Sequence, residues 1–243
     1  MKTLYAVSDY LLYPIVHLVY RRKVVRKNLA LAFPDKSPAE RREIERKFYH
    51  WFCDLAVETI KVHTISPEEI KERFTWHDLD TLEQITLSAG KEFACCYLSH
   101  YCNWEMCVGL PFSQHEMGMC QIYHPMRNDA MDAWMTGNRN RFGAENIKMK
   151  DTIRRLLTLR KVAREGSKQL PSGATIRGWM FGCIADQTPK QENIHLRLPF
   201  LSQSTAVFSG SEKLARKFDM SVWYCRITMP SRGHFSAMSM TNL

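Results

Sequence analysis

Residues 93–98, Phe93-Ala94-Cys95-Cys96-Tyr97-Leu98, run into Ser99-His100-Tyr101-Cys102 and then into Asn103-Trp104-Glu105. The apolar run predicts a short buried strand. From Asn103 to about Phe112 the residues predict a helix, with Asn103 as its cap. A strand, a turn and a helix in that order form the repeating unit of an α/β sheet. The turn lies at the carboxyl end of the strand, where open α/β sheets keep their sites.

The rest of the chain repeats this alternation. Gln121-Ile122-Tyr123 predicts a short strand, residues 130–142 and 151–165 predict helices, and residues 178–185 predict a second apolar strand. A helix over 209–218 and a strand over 221–228 follow. Alternation of this kind predicts an α/β fold with a mostly parallel, helix-covered sheet. Upstream, Ser37-Pro38-Ala39-Glu40 reads as a capping box with Pro at the first helical position. The helix it opens carries Ile44, Phe48, Trp51, Phe52, Leu55 and Ile60 at helical spacing, to about His63. Ser66-Pro67-Glu68-Glu69 starts a short helix ending near Phe74. These segments predict an N-terminal helical layer. After the strand at 221–228 no closing element is legible, and a truncated copy is one expectation.

Composition narrows the class. With 45% hydrophobic and 24% charged residues among 243, the chain can bury a core and is not a disordered tail. A net charge of +9, from 34 Lys+Arg against 25 Asp+Glu, favours an anionic partner. None of the 8 cysteines has C-x-x-C spacing, and several sit in apolar runs, so they read as reduced core residues. No metal site is expected.

Leu4 to Tyr20 is mostly aliphatic and aromatic, interrupted by Ser8, Asp9, Pro14 and His17. It is marginal for a bilayer span. Arg21-Arg22-Lys23-Val24-Val25-Arg26-Lys27 follows directly. An apolar, tyrosine-bearing segment beside a basic cluster suits an interfacial helix on an anionic leaflet. Packing of the same helix on its own domain is the alternative. The expected division is a membrane-associated segment over 1–33 and a domain carrying the chemistry over 34–243.

His100 and Glu105 are the candidate catalytic pair. Five helical steps of about 100° would leave them roughly 140° apart on one helix. They can meet if His100 lies on the turn and Glu105 in the first turn of the helix that Asn103 caps. A carboxylate there is favoured by the helix dipole and would fix the imidazole tautomer of a general base. A purely structural hydrogen bond is the alternative.

His100 to Glu105 matches the H-x4-D/E motif of glycerolipid acyltransferases. The fuller H-x-x-N-W-E string resembles the bacterial lipid A late acyltransferase (lauroyl/myristoyl acyltransferase) family. Further blocks fit in order. They are Ile122-Tyr123-His124-Pro125 with Arg127-Asn128 and Asp132, then Arg139-Asn140-Arg141-Phe142-Gly143, then Ala185-Asp186-Gln187-Thr188-Pro189, then Pro199-Phe200-Leu201. The early Tyr20 to Leu29 string fits too. This chain departs from the pattern in a short apolar N-terminus, His124 where Arg is frequent, Ser202 where Gly is frequent, and an extra loop over 170–174.

The resemblance implies a glycerolipid-acyltransferase-like fold and O-acyl transfer without a cofactor. His100 would deprotonate an acceptor hydroxyl, with Glu105 holding it. The donor would be an acyl thioester of acyl carrier protein or coenzyme A. The acceptor would be a lipid hydroxyl, such as that of a lipid A precursor in lipopolysaccharide synthesis. The cytoplasmic face of the bacterial inner membrane is the implied location, with anionic lipid as partner. Arg127, Arg139 and Arg141 are candidate phosphate ligands, since guanidinium binds phosphate in bidentate fashion. For Arg139 and Arg141 a solvated helix face is the alternative. Asn103, Asp186 and Gln187 are expected to border the pocket, with a purely structural role the alternative for Asp186 and Gln187. Competing classes are a nucleic-acid-binding protein, which the charge permits but no stacking-aromatic stripe supports, and an inactive peripheral membrane scaffold. A zinc hydrolase on His100 and Cys102 lacks a third ligand.

Overall fold

A computed structural model describes residues 1–240, and the elements and contacts given are those of these residues. The chain forms two compact units: residues 1–64 with 187–208, and residues 65–186 with the chain from 209 on.

The first unit begins with α1 (Lys2–Val7), a wider π turn over Ser8–Leu12, and α2 (Tyr13–Val19) with Pro14 in its first turn. Arg21, at φ 49°, breaks the path, and α3 (Arg22–Ala32) starts after it. Among the described residues no helix is long and apolar enough to cross a membrane. The long α4 (Pro38–Val62) opens as the sequence predicts. Ser37 Oγ accepts from the Glu40 N–H at 3.3 Å, and Glu40 Oε2 accepts from the Ser37 N–H at 2.8 Å.

One stripe of α4 buries polar groups against the N-terminal helices. Tyr5 donates to Glu58 at 2.6 Å, Ser8 to Asp54 at 2.6 Å, and Tyr49 to the Tyr20 carbonyl at 2.7 Å. Glu45 is 3% exposed and receives Arg22 and Arg26. Two of the basic residues in the 21–27 cluster are therefore tied to this buried acid.

The second unit contains α5 (Pro67–Arg73), β1 (Phe74–His77), α6 (Leu79–Ser88), β2 (Phe93–Leu98) and a 3₁₀ segment over Trp104–Phe112. There follow β3 (Met117–Tyr123), α7 (Asp129–Asn140), β4 (Glu145–Lys148), α8 (Thr152–Glu165) and β5 (Gly178–Ile184). An antiparallel hairpin, β6 (Leu196–Phe200) and β7 (Gln203–Val207), belongs to the first unit. The second unit resumes with α9 (Gly210–Lys217), β8 (Ser221–Ser231) and β9 (His234–Met240).

The main sheet has the order β1-β9-β8-β2-β5-β3-β4. Every pairing in it is parallel except β8 with β9. This is the mostly parallel α/β sheet that the alternation predicts. The 103–112 helix is realised as 3₁₀, with Pro111 inside it. β9 follows where no closing element was legible, and it lies between β8 and β1.

The core lies where β2, β3 and β5 meet α8 and α9, around Phe93, Cys95, Cys120, Leu156, Trp179 and Phe181. Trp179 is fully buried and donates to the Leu159 carbonyl at 3.0 Å. Gly118 makes that possible, because a Cβ there would sit 2.6 Å from the Trp179 ring. In the β6–β7 turn, Leu201 and Ser202 both take positive φ, 46° and 61°. Ser202 is the position where the resembling family often has Gly, and the left-handed backbone explains that preference.

Candidate active site

The sheet puts two carboxyl ends side by side. β2 and β5 pair in parallel as far as Leu98↔Ile184. His100 and Asp186 each lie two residues beyond that pair, so the register alone makes them neighbours. The Asp186 carboxylate binds His100 twice. Oδ2 accepts from the His100 backbone N–H at 2.8 Å, and Oδ1 lies 2.6 Å from Nδ1. A carboxylate on Nδ1 selects the tautomer with hydrogen on that nitrogen, and Nε2 is then the basic one.

Cys102, at φ 54°, turns the chain sharply after His100. Its buried thiol points to the Ile227 carbonyl at 3.7 Å. Asn103, 1% exposed, caps the 3₁₀ segment, accepting from the Met106 N–H at 3.3 Å. Glu105 falls in the first turn, 6% exposed. Its carboxylate takes a two-pronged grip from Arg139 of α7, at 2.7 Å from Nη2 and 3.1 Å from Nε. Trp104 Nε1–H donates to the same Oε1 at 3.1 Å.

Trp104 also lies edge-to-face on His100, with ring centroids 4.7 Å apart and planes at 81°. The result is a connected chain, Asp186–His100–Trp104–Glu105–Arg139. Sequence reading named four of these five residues but gave Trp104 no role. The signal was present: Trp104 is the aromatic residue directly before the acid, and its indole N–H can donate to a carboxylate. Sequence reading had Glu105 hold His100; the carboxylate seen on Nδ1 is that of Asp186.

The remaining candidates are dispersed. Arg141 donates to the Ile65 carbonyl at 2.9 Å and lies over Phe142. Arg127 is exposed in the loop before α7, and Gln187 is exposed just past Asp186. The cysteines form no disulfide, and burial drives the Cys96, Cys107 and Cys183 thiols well above their ordinary value, with Cys225 pushed up to about 12. A thiol held protonated is a poor nucleophile.

The model of the family described as bacterial lipid A biosynthesis acyltransferase matches residues 14–241. The chain belongs to that family. No curated protein matches it. Acyl transfer in lipid A biosynthesis is therefore its activity class. The match spans both compact units, taking in the helical layer, the hairpin and the sheet.

Proposed function

We propose that this acyltransferase moves a fatty acyl group from an acyl carrier protein or coenzyme A thioester to a hydroxyl of a lipid A precursor, with His100 as general base. The observation that carries the reading is the Nδ1 contact of His100 with Asp186 at 2.6 Å, made at the carboxyl end of two central strands. His100 Nε2 takes the proton of the acceptor hydroxyl as its oxygen attacks the thioester carbonyl. A carbon–oxygen bond forms, the carbon–sulfur bond breaks, and the imidazolium returns the proton to the departing thiolate. The products are an ester and a free thiol.

Asp186 takes the orienting role that the motif alone assigned to Glu105, and it balances the imidazolium charge. Glu105, clamped by Arg139, fixes Trp104, and Trp104 fixes the plane of the base. The work is done at the cytoplasmic face of the inner membrane, on an anionic lipid surface. The exposed apolar residues of the first unit support that location, Tyr10 at 85%, Leu18 at 65% and Val19 at 75% among them.

His100→Ala is expected to lower acyl transfer by roughly 10²- to 10⁴-fold, measured with purified protein and a radiolabelled acyl thioester. Activity within about tenfold of the parent removes His100 from the role of base.

A further inference from the structure

β2 and β8 pair in parallel from Ala94↔Ser221 to Tyr97↔Tyr224 and then part. β2 turns into the His100 loop, while β8 continues to Ser231 as the partner of β9. The gap is a cleft of about 140 Å³, lined by Ser99 and Tyr101 on one side and by Tyr224 to Thr228 on the other.

The chemistry of the lining is that of an anion site. Arg226 is exposed, and it forms no ion pair among the described residues. Among the described residues no Asp or Glu lines the cleft. Ser99, Tyr101 and Tyr224 line the same cleft as Arg226, and each carries a hydroxyl of the kind that donates to an oxyanion. The Thr228 hydroxyl is used within the fold, on the Ser236 carbonyl. The volume is several times the roughly 10–15 Å³ that one water needs on the same measure, which leaves room for a phosphate.

The position is equally specific. Ser99 and Tyr101 are the sequence neighbours of His100, with successive Cα atoms about 3.8 Å apart. Of the three arginines that the motif blocks offered as phosphate ligands, Arg139 is engaged on Glu105 and Arg141 on the Ile65 carbonyl, while Arg127 is exposed in the loop before α7. Arg226, with no ion pair among the described residues, lines the cleft together with the two sequence neighbours of the base.

We propose that the cleft between β2 and β8 binds a phosphate of a substrate, with Arg226 as its charged ligand, while the reacting end of that substrate lies at His100. This rests on the acyl-transfer reading. Two substrates carry phosphate: the lipid acceptor and the pantetheine-bearing donor. The same chemistry recognises either.

The test compares parent, Arg226→Gln and Arg226→Lys in two arms. One arm uses the acceptor with and without its phosphate. The other uses acyl-coenzyme A against acyl-pantetheine, which lacks the phosphates. Charge-assisted hydrogen bonds are worth enough that Arg226→Gln should raise KM for the phosphate-bearing form of one substrate by about tenfold or more, erasing the preference over the phosphate-free form. Arg226→Lys should recover part of it. The arm that responds names the source. Preferences kept within about twofold in both arms overturn the site. If the parent transfers no acyl group in any arm, the acyl-transfer reading fails, and inorganic phosphate then decides the site through ³¹P line broadening. Weaker broadening by Arg226→Gln than by the parent supports the cleft, and equal broadening overturns it.

Discussion

Asp186 and Glu105 are both carboxylates near one histidine, but their surroundings assign them different work. The Asp186 side chain is 40% exposed and touches the imidazole directly. Glu105 is buried and holds a guanidinium and an indole. Removing a partner from a buried ion pair typically costs about 3–5 kcal/mol, whereas a half-exposed carboxylate contributes little to stability. Asp186→Asn should therefore lower kcat by roughly 10²-fold or more while leaving the melting temperature nearly unchanged. Glu105→Gln should lower the melting temperature by roughly 5–10 °C, with a smaller loss of kcat in the protein that remains folded. Calorimetry and rate assays on the two variants check this. The crossed result, a stable Glu105→Gln as inactive as His100→Ala, returns the orienting role to Glu105.

At the scale of elements, the α3–α4 contact depends on one acid. Burial raises the Glu45 carboxyl, and hydrogen bonds from Arg26 and Arg22 outweigh that effect, so its pKa lies below the ordinary 4.5. A carboxylate with a depressed folded-state pKa adds stability that is fully present above its unfolded value. That stability is lost as pH falls through the folded value. Glu45→Gln should cost about 2 kcal/mol at pH 7, discounted because Arg22 and Arg26 are 35% and 51% exposed. The difference in melting temperature between parent and variant should shrink as pH drops below 4.5. A difference that stays constant down to strong acid would show that Glu45 acts through packing alone.

At the scale of the molecule, the first unit carries a large share of the exposed apolar residues. Tyr10, Leu11, Ile15, Leu18 and Val19 lie along its N-terminal helices, and Leu198 and Phe200 lie on its hairpin. Of the cations at 21–27, Arg22 and Arg26 are bound to Glu45, which leaves Arg21, Lys23 and Lys27 for an anionic leaflet. At about 1 kcal/mol per cation, changing these three to Gln should weaken binding to anionic vesicles by roughly 100-fold. Binding to neutral vesicles should be unaffected. Changing Leu18 and Val19 to Ser should weaken both. Sedimentation with liposomes measures each, and unchanged binding by both variants would move the membrane contact to another surface.

The sequence by itself determined what depends on near neighbours. The Ser37–Glu40 box fixed the start of α4, because cap and acid lie three residues apart on one turn. The apolar runs at 93–98 and 178–184 determined central strands, because a segment apolar throughout has to be covered on both faces. The motif strings named His100, Glu105, Arg139 and Asp186. Only the tertiary structure decided which of them meet. The four-residue strands β1 and β4 were not legible, because a short strand exists only through its partner, as with Phe74 on Phe235, 161 residues along the chain. The Asp186–His100 contact has the same origin. It depends on β5 inserting between β2 and β3 in the register Leu98↔Ile184, a pairing across 86 residues. Local pattern fixes which residues are chemically able to act. Strand order and register, set by packing over the whole sheet, decide which carboxylate reaches the imidazole.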